Sequence, residues 1–234
     1  MPEPLAPLIV REDPRAASLL ATLKIQRKQR SSLQADVKLA VDGPETNLRS
    51  NFIMGAEQPA QLYIEIISFL QQTLAILITD GHRYEFIRAN GKSLKTGRVR
   101  SNLLWKAAAI PLPLENTLGV LLAAPELDPE KQIVQVNESV LGELILLVPE
   151  PGGGYSQLTF DETRHLVKVI QLDEKKKVRW VVRYSDWQNV GGEDFPHELA
   201  MEFPGTRTQV RMSYRDVVLN PAFPEGFFAV GSAN

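Results

Sequence analysis

Val178, Trp180, Val182 and Tyr184 fall on one side of an extended chain, with Arg179, Arg183 and Ser185 on the other. A period of two is the mark of a strand with one buried and one wetted face. It recurs along most of the sequence. Leu33, Ala35, Val37, Leu39 and Val41 alternate with Gln34, Asp36, Lys38 and Asp42; Leu199, Met201 and Phe203 alternate with Glu198, Ala200 and Glu202; Val210, Met212 and Tyr214 alternate with Arg211, Ser213 and Arg215. Leu48, Phe52 and Met54 continue on a partner strand beyond Gly43-Pro44. Further strands are expected at 61–67, 74–80, 83–88 and 92–98, the last two joined by Asn90-Gly91, a hairpin signal. Later strands fall at 133–136, 140–148, 155–160, 165–172, 177–187, 198–203 and 207–218, with Glu193-Asp194 of "GGEDFP" read as turn chemistry. So many strands, nearly every one with a polar face, describe an antiparallel sheet too large to stay flat. The expected fold is mainly β: one strongly curved antiparallel sheet with a few helices against its concave side.

Three segments break the pattern. Asp13-Pro14 suits a helix start, and Ala16, Leu19, Leu20 and Leu23 follow at helical spacing. Lys24, Arg27, Lys28 and Arg30 crowd the end of that helix, where they complement its dipole and read as a solvated terminus. Residues 101–110 and 114–124 are helical patches, the second bounded by Pro113 and Pro125 with Leu114, Leu118, Leu121 and Leu122 on one face. The expected organisation is a proline-rich N-terminal tether over 1–13 and a single half-barrel domain over 14–230. "MPEPLAPLIVREDP" lacks the features of a signal peptide, and fits either a cytoplasmic start or a chain trimmed of an export signal.

Chemistry is sparse. His82, His165 and His197 show no metal-ligand spacing, and no nucleophile elbow, P-loop or dinucleotide fingerprint is present. "PGGGY" at 151–155 joins two strands rather than opening a helix. Cysteine is absent, which excludes disulfides and thiolate catalysis. The net charge of −2 comes from 26 Lys and Arg against 28 Asp and Glu, matched along the chain, so no nucleic-acid partner is expected. The longest apolar runs, 140–149 and 74–78, fall well short of the roughly 20 residues a membrane helix needs. A non-catalytic protein without a cofactor is expected.

What the sequence offers in abundance is apolar material for one interior. A curved sheet with helices across its mouth either packs that space solid or encloses a cavity for an apolar ligand. The residues placed on the lining are Val37, Leu39, Phe52, Met54, Leu62, Ile64, Ile76 and Ile78, with Trp105, Leu118 and Leu122 from the helical patches. One turn is out of character. The connection Ser68 to Thr73 leads with Phe69 and Leu70, where turns ordinarily carry small polar residues. A short connection leaves little room to fold two bulky groups inward, so both are expected at an exposed tip, the alternative being that both fold back over the barrel mouth as core.

The order of elements resembles a known family. A helix is followed by "LQADVKLAV…NFIM…PAQLYIEI…LAILITDGHRYEFI", then helices ending in "LGVLL", then "VRWVVRYSDWQ…DFPHELAMEF…TQVRMSYRDVVLNPAFPEGFFAV". This is similar to the bacterial lipoprotein-localisation (Lol) proteins, both periplasmic carrier and outer-membrane receptor, and to related uncharacterised lipoproteins. The resemblance spans roughly 15–230. It implies an unclosed barrel capped by helices whose cavity holds lipoprotein acyl chains or phospholipid. It implies partners among periplasmic carriers or envelope proteins, and a place in the periplasm or, lipid-anchored, on the periplasmic face of the outer membrane. On that reading an export signal and an anchoring Cys are trimmed from the present sequence. In the receptor an exposed Leu on the matching loop touches the membrane, which assigns Phe69 and Leu70 a membrane-contact role. Arg49 lies on the second strand, but its alternation points it outward, so no counterpart of the carrier's cavity arginine is evident. The turn "DEKKK" (173–177) has no counterpart. An interaction or regulatory module of the same fold, with a filled interior, is the alternative.

Overall fold

The structure, a computed structural model, describes residues 14–44, 46–68, 70–89, 93–104, 110–127, 135–150 and 153–231. Asp13, Phe69, Trp105 and the tether over 1–13 lie outside them. Helix α1 (Pro14–Gln29) is followed by β1 (Ser32–Gly43), β2 (Thr46–Glu57), β3 (Gln61–Ile67), β4 (Thr73–Thr79), β5 (Arg83–Arg88) and β6 (Ser93–Arg98). Helix α2 (Leu114–Leu121) separates these from β7 (Gln135–Glu138), β8 (Leu144–Pro149), β9 (Tyr155–Phe160), β10 (Leu166–Leu172), β11 (Val178–Val190), β12 (Glu193–Phe203) and β13 (Thr208–Leu219).

All thirteen strands belong to one antiparallel sheet in the order β6-β5-β4-β3-β2-β1-β13-β12-β11-β10-β9-β8-β7. The first and last strands thus meet at the centre of the sheet, while β6 and β7 are its unpaired edges. The barrel is not closed, as the family resemblance implies. One face buries a continuous apolar core that includes Ala16, Leu19 and Leu23 of α1 and the 118–124 segment.

Three segments depart from the sequence reading. Residues 139–143 form a turn before β8, so the strand expected over 140–148 begins at Leu144. Ser139 closes that turn: its Oγ accepts the N–H of Leu141 and of Glu143. Glu193 and Asp194 belong to β12, and the turn before them is Gly191-Gly192. In β4, Leu77 and Thr79 face the core; Ile76 and Ile78, expected on the lining, pair with Glu65 and Tyr63 on the opposite face. That second face is itself covered over β2 and β3. Phe227 packs against Tyr63 in a tilted pair with ring centroids 4.8 Å apart, and a Cβ added at Gly55 would lie 2.8 Å from Phe227 and 3.1 Å from Phe223. Only a glycine lets the C-terminal aromatics lie so close to the sheet.

Candidate functional site

Cross-strand register fixes which residues share the concave face. Val37 pairs with Phe52 and Tyr214, and Leu39 with Met212. Met54 pairs with Ile64, Ala56 with Leu62, and Ile64 with Leu77. Val37, Leu39, Phe52, Met54 and Leu62 are buried in the core, and Ile64 packs partly buried against it. Leu118 and Leu122 are also buried. The structure therefore brings eight of the sequence-picked positions into one apolar cluster. It leaves Ile76 and Ile78 on the other face, and Trp105 lies outside the described residues.

Over this cluster runs the 118–124 segment, whose carbonyls need donors because a helix leaves its last four unsatisfied. Those of Leu118, Gly119 and Val120 accept the backbone N–H groups of Leu122, Ala124 and Ala123, and from Val120 onward side chains from three parts of the chain add donors. The Tyr184 hydroxyl donates to the Val120 carbonyl at 3.1 Å and the Tyr214 hydroxyl to that of Leu121 at 3.4 Å. Arg30 donates to the Leu122 carbonyl and Arg27 to that of Ala124, both at 3.0 Å. Arg30, at 1% exposure, also bonds Glu193 Oε2 at 3.2 Å and the Asp194 carbonyl at 2.8 Å, and its guanidinium lies 5.6 Å from the Phe195 ring centre. Burial pulls its pKa down, opposed by the hydrogen bond and charge of Glu193. Burial likewise pushes the phenols of Tyr184 and Tyr214 well above their ordinary value. So the end of α1, expected to be solvated, instead sends Arg27 and Arg30 inward, and only Lys24 and Lys28 stay exposed. No local pattern in the sequence marks this, because the acceptors are 92 to 164 residues away.

A cavity of about 180 Å³ remains between α2 and strands β9–β11, lined by Val120, Val169, Trp180 and Tyr184 and by the polar side chains of Ser156 and Gln171. Ser156 hydrogen-bonds Glu150 within this buried corner. Ligand pockets commonly measure about 300–1,000 Å³, so this void is small for an acyl chain. Among the described residues no group of His, Asp and Glu could hold a metal ion. No described helix is long and apolar enough to cross a membrane.

The β3–β4 turn is closed by Ser68, whose Oγ accepts from the N–H of Leu70 and of Gln72, with Gln71 at φ 60°. Leu70 is 62% exposed and Leu74, just beyond, 53%. The turn thus takes its polar chemistry from Ser68 and leaves Leu70 at an exposed tip, while Phe69 is outside the described residues.

A thirteen-stranded unclosed antiparallel sheet with helices on its apolar concave face is a half-barrel. Solved structures share the fold, among them three aligned over nearly their whole length. A LolA superfamily protein from Nitrosomonas europaea aligns with a TM-score of 0.64 at 15% identity, covering 92% of this chain and 97% of that one. A putative outer membrane lipoprotein-sorting protein domain from Vibrio parahaemolyticus aligns with a TM-score of 0.64 at 11% identity, covering 91% and 95%. A DUF1329 family protein from Desulfovibrio piger gives 0.64 at 11%, covering 95% and 100%. The sequence profile of the family described as outer membrane lipoprotein LolB matches residues 31–215, and the chain belongs to that family. No curated protein sequence matches it.

Proposed function

We propose that this chain is a non-catalytic lipoprotein-localisation factor of the cell envelope. It acts at the periplasmic face of the outer membrane or in the periplasm, and takes lipoprotein acyl chains or phospholipid between its sheet and its helical cap. The observation that carries this is the family match over 31–215 on a half-barrel with an apolar concave face. The void of about 180 Å³ is too small for cargo, so loading displaces the 118–124 segment and exposes the cluster around Val37, Leu39, Phe52, Met54, Leu118 and Leu122. Leu70 is the membrane contact. Burying one Leu side chain in lipid supplies about 2 kcal/mol, which suits transient contact rather than anchorage.

The same small void favours a second reading, in which the interior is permanently filled and the protein binds an envelope partner through its surface. Native mass spectrometry of the protein purified from bacterial cells separates the two. Co-purified lipid or lipidated peptide supports the first, and bare protein in company with a polypeptide supports the second.

A further inference from the structure

Strands β1 and β2 run on past the end of β3. Asn51 is the last β2 residue with a β3 partner, while β1 and β2 stay paired out to Gly43 and Thr46. This leaves a notch between the β1–β2 hairpin and the Leu70 turn, which both lie at the same end of the sheet. The notch is an open groove of about 830 Å³ on the face away from the core, bordered by Ile67, Ser68 and Leu74 on the side of the turn. Its other wall carries Lys38, Arg49 and Arg211, and no described carboxylate lines it. Arg49 and Arg211 are gathered by a single acid, Asp42, at 2.7 and 3.3 Å, so two guanidiniums share one counter-charge. Their contact holds the Asp42 carboxyl below its ordinary pKa.

A second observation comes from comparing turns. Residues 139–143 repeat the geometry of 68–72: a serine closes the turn through its Oγ, the fourth residue has positive φ, and a leucine is exposed at the third. That tip, with Val140 and Leu141, lies at the opposite end of the strands. It is flanked by Glu138, which Arg15 pairs, and by Glu143. The Leu70 tip has the basic groove beside it instead. The 204–207 turn adds exposed Arg207 to the same end, and the 173–177 turn adds Lys175, Lys176 and Lys177 against Asp173 and Glu174. The Leu70 tip borders a groove with three cations, with Glu65 bonded to Thr73 at its base, whereas its twin has Glu138 and Glu143 beside Arg15.

We propose that the groove of Lys38, Arg49 and Arg211 binds the phosphate groups of anionic lipids and seats the Leu70 end of the sheet on an anionic bilayer. This deepens the reading of Leu70 as a membrane contact and rests on it. The groove places guanidinium and ammonium donors at headgroup depth when the adjacent leucines enter the acyl boundary. Guanidiniums match phosphate oxygens in a fork, and basic residues near an anionic surface add attraction that salt screens.

The test is flotation with two kinds of vesicle, phosphatidylcholine alone and an equimolar mixture with phosphatidylglycerol. The Lys38→Gln/Arg49→Gln/Arg211→Gln variant replaces surface side chains, and an unchanged melting curve verifies its fold. It should bind mixed vesicles about a hundredfold more weakly, from about fivefold per basic residue, and phosphatidylcholine as well as the unaltered chain does. Molar salt should bring the unaltered chain on mixed vesicles down to its phosphatidylcholine level. Leu70→Glu should weaken binding to both vesicle types, while Leu141→Glu should change neither. Undiminished binding of the triple variant to mixed vesicles overturns the headgroup site and leaves the groove to an acidic protein. Equal loss on both vesicle types overturns it as well. If Leu70→Glu binds phosphatidylcholine normally, the loop reading fails separately.

Discussion

Arg30 and Leu122, 92 residues apart, meet at 3.0 Å with the guanidinium donating to the carbonyl. Through this contact the end of α1 holds the segment that covers the concave face. The same side chain reaches the start of β12, so three parts of the chain converge on one buried cation. Replacing it by Met leaves the Leu122 and Asp194 carbonyls without a donor and Glu193 without its partner. The expected loss is about 3 kcal/mol, since removing one member of a buried charged pair costs more than the pair contributes. Arg27→Met, at a more accessible position, should cost about 1 kcal/mol. Urea denaturation of both variants measures the difference, and equal values would mean that Arg30 does not organise the cap.

The two tyrosines beneath the segment give a pH dependence. Burial raises the phenol pKa of Tyr184 and Tyr214, so the folded state holds both protons more tightly than the unfolded chain. Their contribution is complete below the unfolded value of about 10 and is lost as pH rises from there through the folded value. Melting temperature should fall steeply above about pH 10. Tyr184→Phe/Tyr214→Phe should flatten that fall while costing about 2 kcal/mol at neutral pH, for two hydrogen bonds at about 1 kcal/mol each. An unchanged alkaline slope would contradict this assignment.

Gly55 should not tolerate a side chain. Gly55→Ala places a methyl 2.8 Å from Phe227 and 3.1 Å from Phe223, and the C-terminal aromatics must move off the sheet. Overpacking of this kind costs about 1–3 kcal/mol. The displaced segment also surrenders the Gly231 N–H bond to Glu85 Oε2, at 2.9 Å. Limited proteolysis should then cleave the C-terminal residues faster than in the unaltered chain. Equal cleavage rates with unchanged stability would show that the segment lies elsewhere.

Leu70→Glu should leave folding stability within about 0.5 kcal/mol, as is usual for an exposed site, while weakening vesicle binding. A loss of several kcal/mol would mean that Leu70 is core after all.

Strands with one wet face were legible from their alternation, and β1 shows why. Its odd-numbered residues from Leu33 to Val41 are apolar and buried, and the register with β2 and β13 follows. β4 shows the limit. In "TLAILIT" both parities are apolar, since Ile78 neighbours Tyr63 on the face where Phe227 packs while Leu77 faces the core. Periodicity carries no phase when both faces are covered. Arg30 was invisible for a different reason: a basic residue at a helix end is ordinarily solvated, and only the tertiary fold supplies its distant acceptors. Val140 and Leu141 looked like strand because they are branched and apolar, whereas Ser139 and Gly142 set the turn. Phe52 shows a related limit for the site. It is fully packed in the core, so a charge there would unfold the protein before it could report on ligand binding.

The central claim is that the concave face opens to take acyl chains. The most direct measurement loads the unaltered protein with an environment-sensitive fluorescent lipid and titrates a lipidated peptide against its unlipidated twin. Displacement by the lipidated peptide alone is the result expected here. Equal displacement by both peptides, or no uptake of the fluorescent lipid, would contradict it and mark the interior as a filled core.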